Sequence, residues 1–275
     1  MKDDSTRAAW DSIAAGYDRT NTVTQMWLGN ESLRRAGVRP GMRFLDVAAG
    51  SGALGIPAAR LGARVTAVDQ SPVMLQLLAE RARGEGLAIE TRVMDGHALE
   101  LEDESFDMAG SQFGVMLFPD MPRGIRELAR VTRRGGGVLM NVYGPPHEIE
   151  FLGFLVRAIQ VARPEFSGPP MDPVPLPFQL QDPARLRSEL AAAGLKDIRV
   201  ETITERTAFE SGKALWEWLV WSNPIVESVL GCLKLTEAER QAVQRALDKQ
   251  VRERAAGQAA ARLANPVHLG VGTRA

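Results

Sequence analysis

The sequence predicts an α/β fold: a doubly wound, mostly parallel seven-stranded sheet carrying helical insertions. Three observations predict it. Short apolar or β-branched runs alternate with helical segments throughout residues 43–144, and a βαβ series of this kind folds as a parallel sheet with helices on both faces. The first run flows into a glycine loop, "FLDVAAGSGALG" at 44–55. Acids recur along the runs: Asp46 lies on the first, Asp69 ends the second and Asp95 ends the third.

The elements follow in order. Residues 5–36 read as two short helices, and Pro40-Gly41 then punctuates the chain. "RFLDVAA" (43–49) is a mostly apolar run of the kind found in buried parallel strands, and 53–61 is helical. "RVTAVD" (64–69) is a second strand. Ser71-Pro72 then starts a helix, with serine as N-cap and proline in the first turn. Strands are expected at 87–95, 106–114 and 136–144, with a helix over 120–132 between the last two. After residue 144 the chain turns proline-rich. Asp182-Pro183 starts a helix through Leu195, "DIRVETITE" (197–205) is a sixth strand, and a tryptophan-rich stretch follows. Thr236 opens a capping-box pattern ahead of a long polar helix reaching about residue 262, and 266–274 forms the last strand.

Composition limits the function. At 275 residues, 45% hydrophobic and 24% charged, the chain has the profile of a soluble globular protein. A formal net charge of −1 exerts no global pull on nucleic acid or acidic membrane. Cys232 is the single cysteine, so an internal disulfide is excluded and a reducing cytoplasm fits. The polar start lacks an apolar signal segment, and no run approaches the ~18 apolar residues of a membrane-spanning helix. No metal site is expected.

Gly50-Ser51-Gly52-Ala53-Leu54-Gly55 reads literally as G-x-G-x-x-G, the dinucleotide fingerprint, which raises a nicotinamide oxidoreductase as one reading. Gly50 and Gly52 let backbone approach a ligand closely, and their amides beside a helix start favour an anion. Asp69 follows at roughly the 20-residue spacing from which an acid reaches ribose hydroxyls. Asp46 beside the loop would repel a pyrophosphate, whereas it would welcome a ligand carrying an ammonium group as well as a carboxylate. S-adenosylmethionine has both, and Asp95-Gly96-His97 adds a contact point for an adenine amino group.

"LDVAAGSGALG", "VTAVDQSPVML", "VMDGHALELEDESFDMAGSQFGVMLFPD" and "ELARVTRRGGGVLM" resemble, in order, the motifs of class I S-adenosylmethionine-dependent methyltransferases, in the subgroup of quinone-biosynthesis and other small-molecule enzymes. The resemblance covers residues 5–144 in motif detail and 183–205 more loosely, with Ala49 where the family commonly has glycine. It implies the Rossmann-like methyltransferase fold and S-adenosylmethionine as cofactor. It assigns Gly50 and Gly52 to the methionine moiety, Asp69 to the ribose, and Gln70 and Met74 to the surroundings of the adenosine. Asp95 and Gly96 would meet the adenine with His97 alongside, Ser111 and Gln112 would lie against the cofactor, and Tyr17 would close over its methionine end. The organisation it implies is N-terminal helices over the cofactor site (1–40), a binding core (41–144), a lid insertion (145–182), the core continued (183–205), a helical lid insertion (206–265) and a last core strand (266–275).

Each assignment has a plainer counterpart. Asp46 could cap neighbouring amides, His97 and Tyr17 could be packing residues, and Trp216, Trp218 and Trp221 could pack the core of the lid itself. His147, just past the fifth strand, is either a surface-loop histidine or a general base, and Tyr17 is the other weak catalytic candidate. The expected reaction is methyl transfer to an O, N or C nucleophile of a hydrophobic small molecule, mainly by in-line positioning. A methyltransferase-fold enzyme performing a non-methylating reaction such as cyclisation is the alternative. A nucleic-acid substrate is disfavoured by Ser111-Gln112-Phe113-Gly114, where amino-methylating enzymes carry an acid-or-amide-Pro-Pro-aromatic motif. The two insertions either form an apolar roof over the acceptor or serve as core and homodimer contacts.

Overall fold

In the computed structural model, residues 2–222 and 224–275 are described. Strands β1 (Arg43–Val47), β2 (Arg64–Asp69), β3 (Ile89–Val93), β4 (Phe106–Gln112), β5 (Thr132–Tyr143), β6 (Leu195–Phe209) and β7 (Ala261–Arg274) form one sheet. Their order is β3-β2-β1-β4-β5-β7-β6. The first five pair in parallel, and β7 runs antiparallel to both β5 and β6. The strand order reverses between β1 and β4, and the crevice beyond their carboxyl ends is where open α/β sheets bind ligands.

Local chemistry sets most of the helices. In α4 (Pro72–Gly84) the Ser71 hydroxyl accepts from the Met74 amide at 3.0 Å, closing the predicted N-cap. In α7 (Pro183–Ala192) Asp182 caps Ala184, and in α10 (Glu237–Ala255) Thr236 and Glu239 complete the capping box. Helices α3 (Gly55–Arg60) and α5 (Met121–Val131) connect the inner strands. The strand core includes Phe44, Leu45 and Val47 of β1, all fully buried, as a central parallel strand requires.

Two expectations need correction. The N-terminal helices are not separated by a break at "AAGYD". Helix α1 (Lys2–Tyr17) continues through a π-helical segment, Asp18–Thr22, into α2 (Val23–Ala36), with helical backbone at both joins. Gly16 lets Trp221 pack closely on this helix, since a Cβ there would fall 2.3 Å from its ring. The second insertion does not span 206–265: β6 runs on to Phe209 and β7 begins at Ala261, paired in register from Glu205↔Asn265 to Phe209↔Ala261. Buried alternation continues through Ile203, Glu205, Thr207 and Phe209, and the polar residues in that phase hid the strand from a hydrophobic pattern.

The two excursions share one apolar core, separate from that of the sheet. Helices α6 (Glu150–Gln160), α8 (Gly212–Ser222) and α10 pack around Phe151, Phe154, Phe178, Trp218 and Leu247. Helix α9 (Pro224–Leu233) follows α8. The Trp218 indole donates to Thr24 Oγ1 at 3.1 Å, and Asn21 Nδ2 donates to the Trp218 carbonyl at 3.2 Å, so this layer docks on the N-terminal helices. No described helix is long and apolar enough to cross a membrane.

Candidate active site

A cleft of about 510 Å³ opens at the carboxyl ends of the inner strands. A larger depression, about 840 Å³, lies at their amino ends around Arg43, Arg64 and Ile89, away from every predicted site residue. The crevice at the strand-order reversal is the site, because there the strand ends and loops converge.

The loops after β1, β2 and β3 build its walls. Gly50, Asp69, Gln70, Met74, Asp95, Gly96 and His97 line the cleft, with Tyr17 and Gln112 on the side of α1 and β4. Asp69 ties two loops together: its carboxylate accepts from the Gly50 amide at 2.8 Å and from the Ser71 amide at 2.9 Å. Burial pushes this carboxyl up, the Ser71 and Gly50 amides oppose it, and Asp11 adds to the rise, leaving it above its ordinary value. The Asp95 carboxylate accepts from the His97 amide at 2.9 Å and pairs with His97 Nδ1 at 2.7 Å. Burial works to raise Asp95, but the bonds to His97 outweigh it and hold the group below its ordinary value. The His97 ring in turn leans on Phe118 at 4.4 Å. Gly96 is required here, since a Cβ would fall 2.5 Å from that phenyl ring.

Four assignments change. The amides of Gly50 and Gly52 are not an anion cradle. The first donates to Asp69 and the second to the Ala49 carbonyl at 3.0 Å. Gly52 does not line the cleft. It lies where a Cβ would strike Ile56 at 2.8 Å, so it serves close packing of the loop. Ser111 is buried, with its hydroxyl accepting from the Val115 amide at 3.0 Å, and it shapes the turn after β4 rather than facing the cleft. His147 projects into solvent beside Glu148, 78% exposed and outside the cleft lining.

Asp46 is also away from the cleft lining. It is 1% exposed beneath the loop, and neither carboxylate oxygen makes a hydrogen bond of normal geometry. Burial drives its carboxyl well above the usual range, the Gly55 amide opposes this, and Asp69 adds to the rise. Asp46 does not line the cleft, so the ligand contact expected of it from sequence is not made directly by its side chain.

Tyr17 borders the cleft with its hydroxyl donating to Gln25 Oε1 at 3.2 Å. Burial, then the carboxyls of Asp69, Glu205 and Asp46, push the phenol far above its ordinary value. It therefore stays protonated near neutrality, acting as a hydrogen-bond donor and not as a base. Gln112 is held from both ends: Asn141 donates to its Oε1 at 2.9 Å and its Nε2 donates to the Gln25 carbonyl at 3.2 Å. Sequence reasoning missed Gln25, Phe118 and Glu205. Only Glu205 carried a usable signal, its place in the buried phase of β6.

The lining fits an adenosine-bearing ligand. Acid acceptors stand at the ends of β2 and β3, the apolar Met74 and Phe118 line the same cleft, and glycine at 96 leaves the backbone bare. Fold and site together define a nucleoside-binding α/β protein of the doubly wound type.

Comparisons with known proteins narrow this. Residues 45–140 match the family described as a methyltransferase domain. Over 207 residues the chain is 32% identical to a demethylmenaquinone methyltransferase of Mycobacterium sp. strain KMS, covering 71% of this chain and 87% of that protein. It is 39% identical over 141 residues to an uncharacterized protein of Mycobacterium tuberculosis, covering 51% of this chain and 50% of that one. The match thus spans about half the length of this second relative. The YcgJ protein of Bacillus subtilis shares the fold, with a TM-score of 0.55 at 16% identity over 91% of this chain and 97% of that one. This chain belongs to the class I S-adenosylmethionine-dependent methyltransferases, in the quinone-biosynthesis-like subgroup, as its four ordered motifs implied.

Proposed function

We propose that this protein transfers a methyl group from S-adenosylmethionine to an O, N or C nucleophile of a hydrophobic small molecule. The observation that carries the reading is the cleft in which Asp69, Asp95 and the Gly50 loop converge under Tyr17, in a chain of this family. The bound cofactor supplies an electrophilic methyl group on a sulfonium centre. Asp69 would accept from the ribose hydroxyls while holding the Gly50 loop in place. Asp95, oriented by His97, would accept from the adenine amino group, with Met74 and Phe118 against the ring faces. Tyr17 and Gln112 would border the methionine end and limit water there. Water exclusion matters because positive charge disperses in the transition state, and water would stabilise the starting cation more. Holding nucleophile, carbon and sulfur in line supplies most of the acceleration.

The excursions at 145–182 and 210–260 would serve as the roof that selects an apolar acceptor, supported by their common aromatic core directly beside α1 and α2. A cytoplasmic setting suits the free, exposed thiol of Cys232. Isothermal calorimetry checks the cofactor: S-adenosylmethionine and S-adenosylhomocysteine are expected to bind at least tenfold more tightly than NAD. Tight NAD binding with no response to either sulfur nucleoside would refute the assignment.

A further inference from the structure

Glu205 is a buried acid for which the cofactor cleft has no use. It sits on β6, 2% exposed. In the β6–β7 pairing it stands opposite Asn265, which is fully buried, and Thr207 follows on the same face. Both carboxylate oxygens of Glu205, both polar side-chain atoms of Asn265 and the Thr207 hydroxyl lack a hydrogen-bond partner. The Asn265 amide lies beside the carboxylate, but outside good hydrogen-bond geometry. Buried polar groups in folded proteins are nearly always paired with protein or water. A set of unpartnered atoms on one strand pair therefore marks a place where a polar partner sits.

The surroundings say what kind of partner. Along the strands the set is flanked by Ile203 and Val267 of the sheet core and by Phe209 and Leu263 of the roof core, so it lies in the seam between the two. On the neighbouring strand Tyr143 stands opposite Val267, two residues from Asn265 on β7, and burial together with the Glu205 carboxyl raises both Tyr143 and Tyr17. Tyr17 borders the cofactor cleft, and Tyr143 stacks at 4.2 Å on Phe113, which also borders it. The ring series continues from Tyr143 to Phe151 at 5.9 Å and on to Trp218 at 4.9 Å. The seam thus lies beside Tyr143, whose ring stacks on a residue of the cleft wall, and it is aromatic on the roof side.

We propose that this seam is the acceptor end of the active site and that Glu205 takes up the proton of an aromatic hydroxyl acceptor as it is methylated, a reading that rests on the methyltransferase function above. The acceptor O–H bond breaks and its electron pair stays on oxygen while the proton passes to the Glu205 carboxylate. An oxygen pair forms the bond to the methyl carbon, and the carbon–sulfur bond breaks with its pair left on sulfur. Glu205 then releases the proton to water. A phenol is a poor nucleophile until it loses its proton, which is why such an acceptor needs a base. Burial pushes the Glu205 carboxyl up to about 7, the Asn265 amide opposing it, and a base poised there is both ionised and able to hold a proton near neutral pH. Tyr17 and Tyr143 are both pushed up by burial and by the Glu205 carboxyl, so they stay protonated and do not compete with it as bases, the Tyr17 hydroxyl being given to Gln25.

The test uses 2-naphthol as the probe and Glu205→Gln as the variant. With S-adenosylhomocysteine bound, 2-naphthol should bind wild type and variant within about threefold of each other. Labelled methyl transfer from S-adenosylmethionine to 2-naphthol should fall at least ~100-fold in Glu205→Gln, the scale of a lost general base. The wild-type rate should climb with pH through about 7, and the variant should lose that step. Glu205→Asp should restore part of the rate. A fourth readout needs no acceptor. The folded state holds this proton more tightly than the unfolded chain, so the stability it lends is full at low pH and fades from about pH 4.5 up to about 7. Glu205→Gln should therefore melt close to wild type at pH 4 and above it at pH 8. Equal rates in the two proteins, no binding of 2-naphthol by wild type, or a variant melting below wild type at pH 8 would each overturn the proposal. Failure of wild type to bind S-adenosylhomocysteine would instead overturn the methyltransferase reading beneath it.

Discussion

Trp218→Ala is expected to destabilise the protein by about 3–5 kcal/mol, the range for removing a large aromatic from a packed core. The side chain is 2% exposed and sits between Phe151, at a ring distance of 4.9 Å, and Phe209, at 5.8 Å. Its indole also donates to Thr24 Oγ1, so truncation leaves a cavity and removes a hydrogen bond at the seam between roof and N-terminal helices. Spread over a chain of this size, the loss should lower the melting temperature by roughly 10 °C. Cofactor affinity, measured well below that temperature, should change less than about threefold, because Trp218 does not line the cleft. Thermal unfolding by circular dichroism decides the matter. A loss under about 1 kcal/mol would show that the roof contributes little to the fold and that its aromatics are free to contact ligand.

For Asp69→Ala we expect S-adenosylmethionine affinity to fall about 10- to 150-fold. Loss of a hydrogen bond to a charged group is worth about 1.5–3 kcal/mol. Here the loss reaches further than the ligand contact, because the same carboxylate accepts from the amides of Gly50 and Ser71. With it gone, the two amides lose their shared anchor and the loop no longer presents a fixed edge. The variant should also melt earlier, which a purely ligand-facing acid would not cause. Titration calorimetry beside a melting curve separates the effects. Unchanged affinity with a lowered melting temperature would make Asp69 a loop clamp only.

Much of the fold was legible because its signals are local. Ser71 with Pro72 and Thr236 with Glu239 close caps within a few residues of chain, so adjacency in sequence guarantees adjacency in space. The parallel strands announced themselves as apolar runs because both of their faces are covered. The order of strand-end acids placed Asp69 and Asp95 on one cleft, and the motif resemblance added Gln70, Met74, Gly96 and His97; all follow strands of the same sheet, and parallel strands end on one side. What local pattern could not supply was the fate of individual polar atoms. The amides of Gly50 and Gly52 looked free from sequence, yet Asp69 and Ala49 accept them.

By itself the sequence determined the α/β class, the run of strands, the glycine loop, the family and nine of the residues that line the cleft. The class and the elements follow from periodicity, caps and spacing, which act over a few residues, and the family and the cleft residues from motifs that are themselves short. The tertiary structure alone decided that Asp46 lies buried beneath the loop, that His147 stands in solvent, and that Glu205 is buried opposite Asn265. Burial and partnership are set by residues far apart in the chain, as β6 and β7 are. Whether a carboxyl is a surface charge, a loop clamp or an acid held near neutrality depends on the water and the partners that packing leaves it.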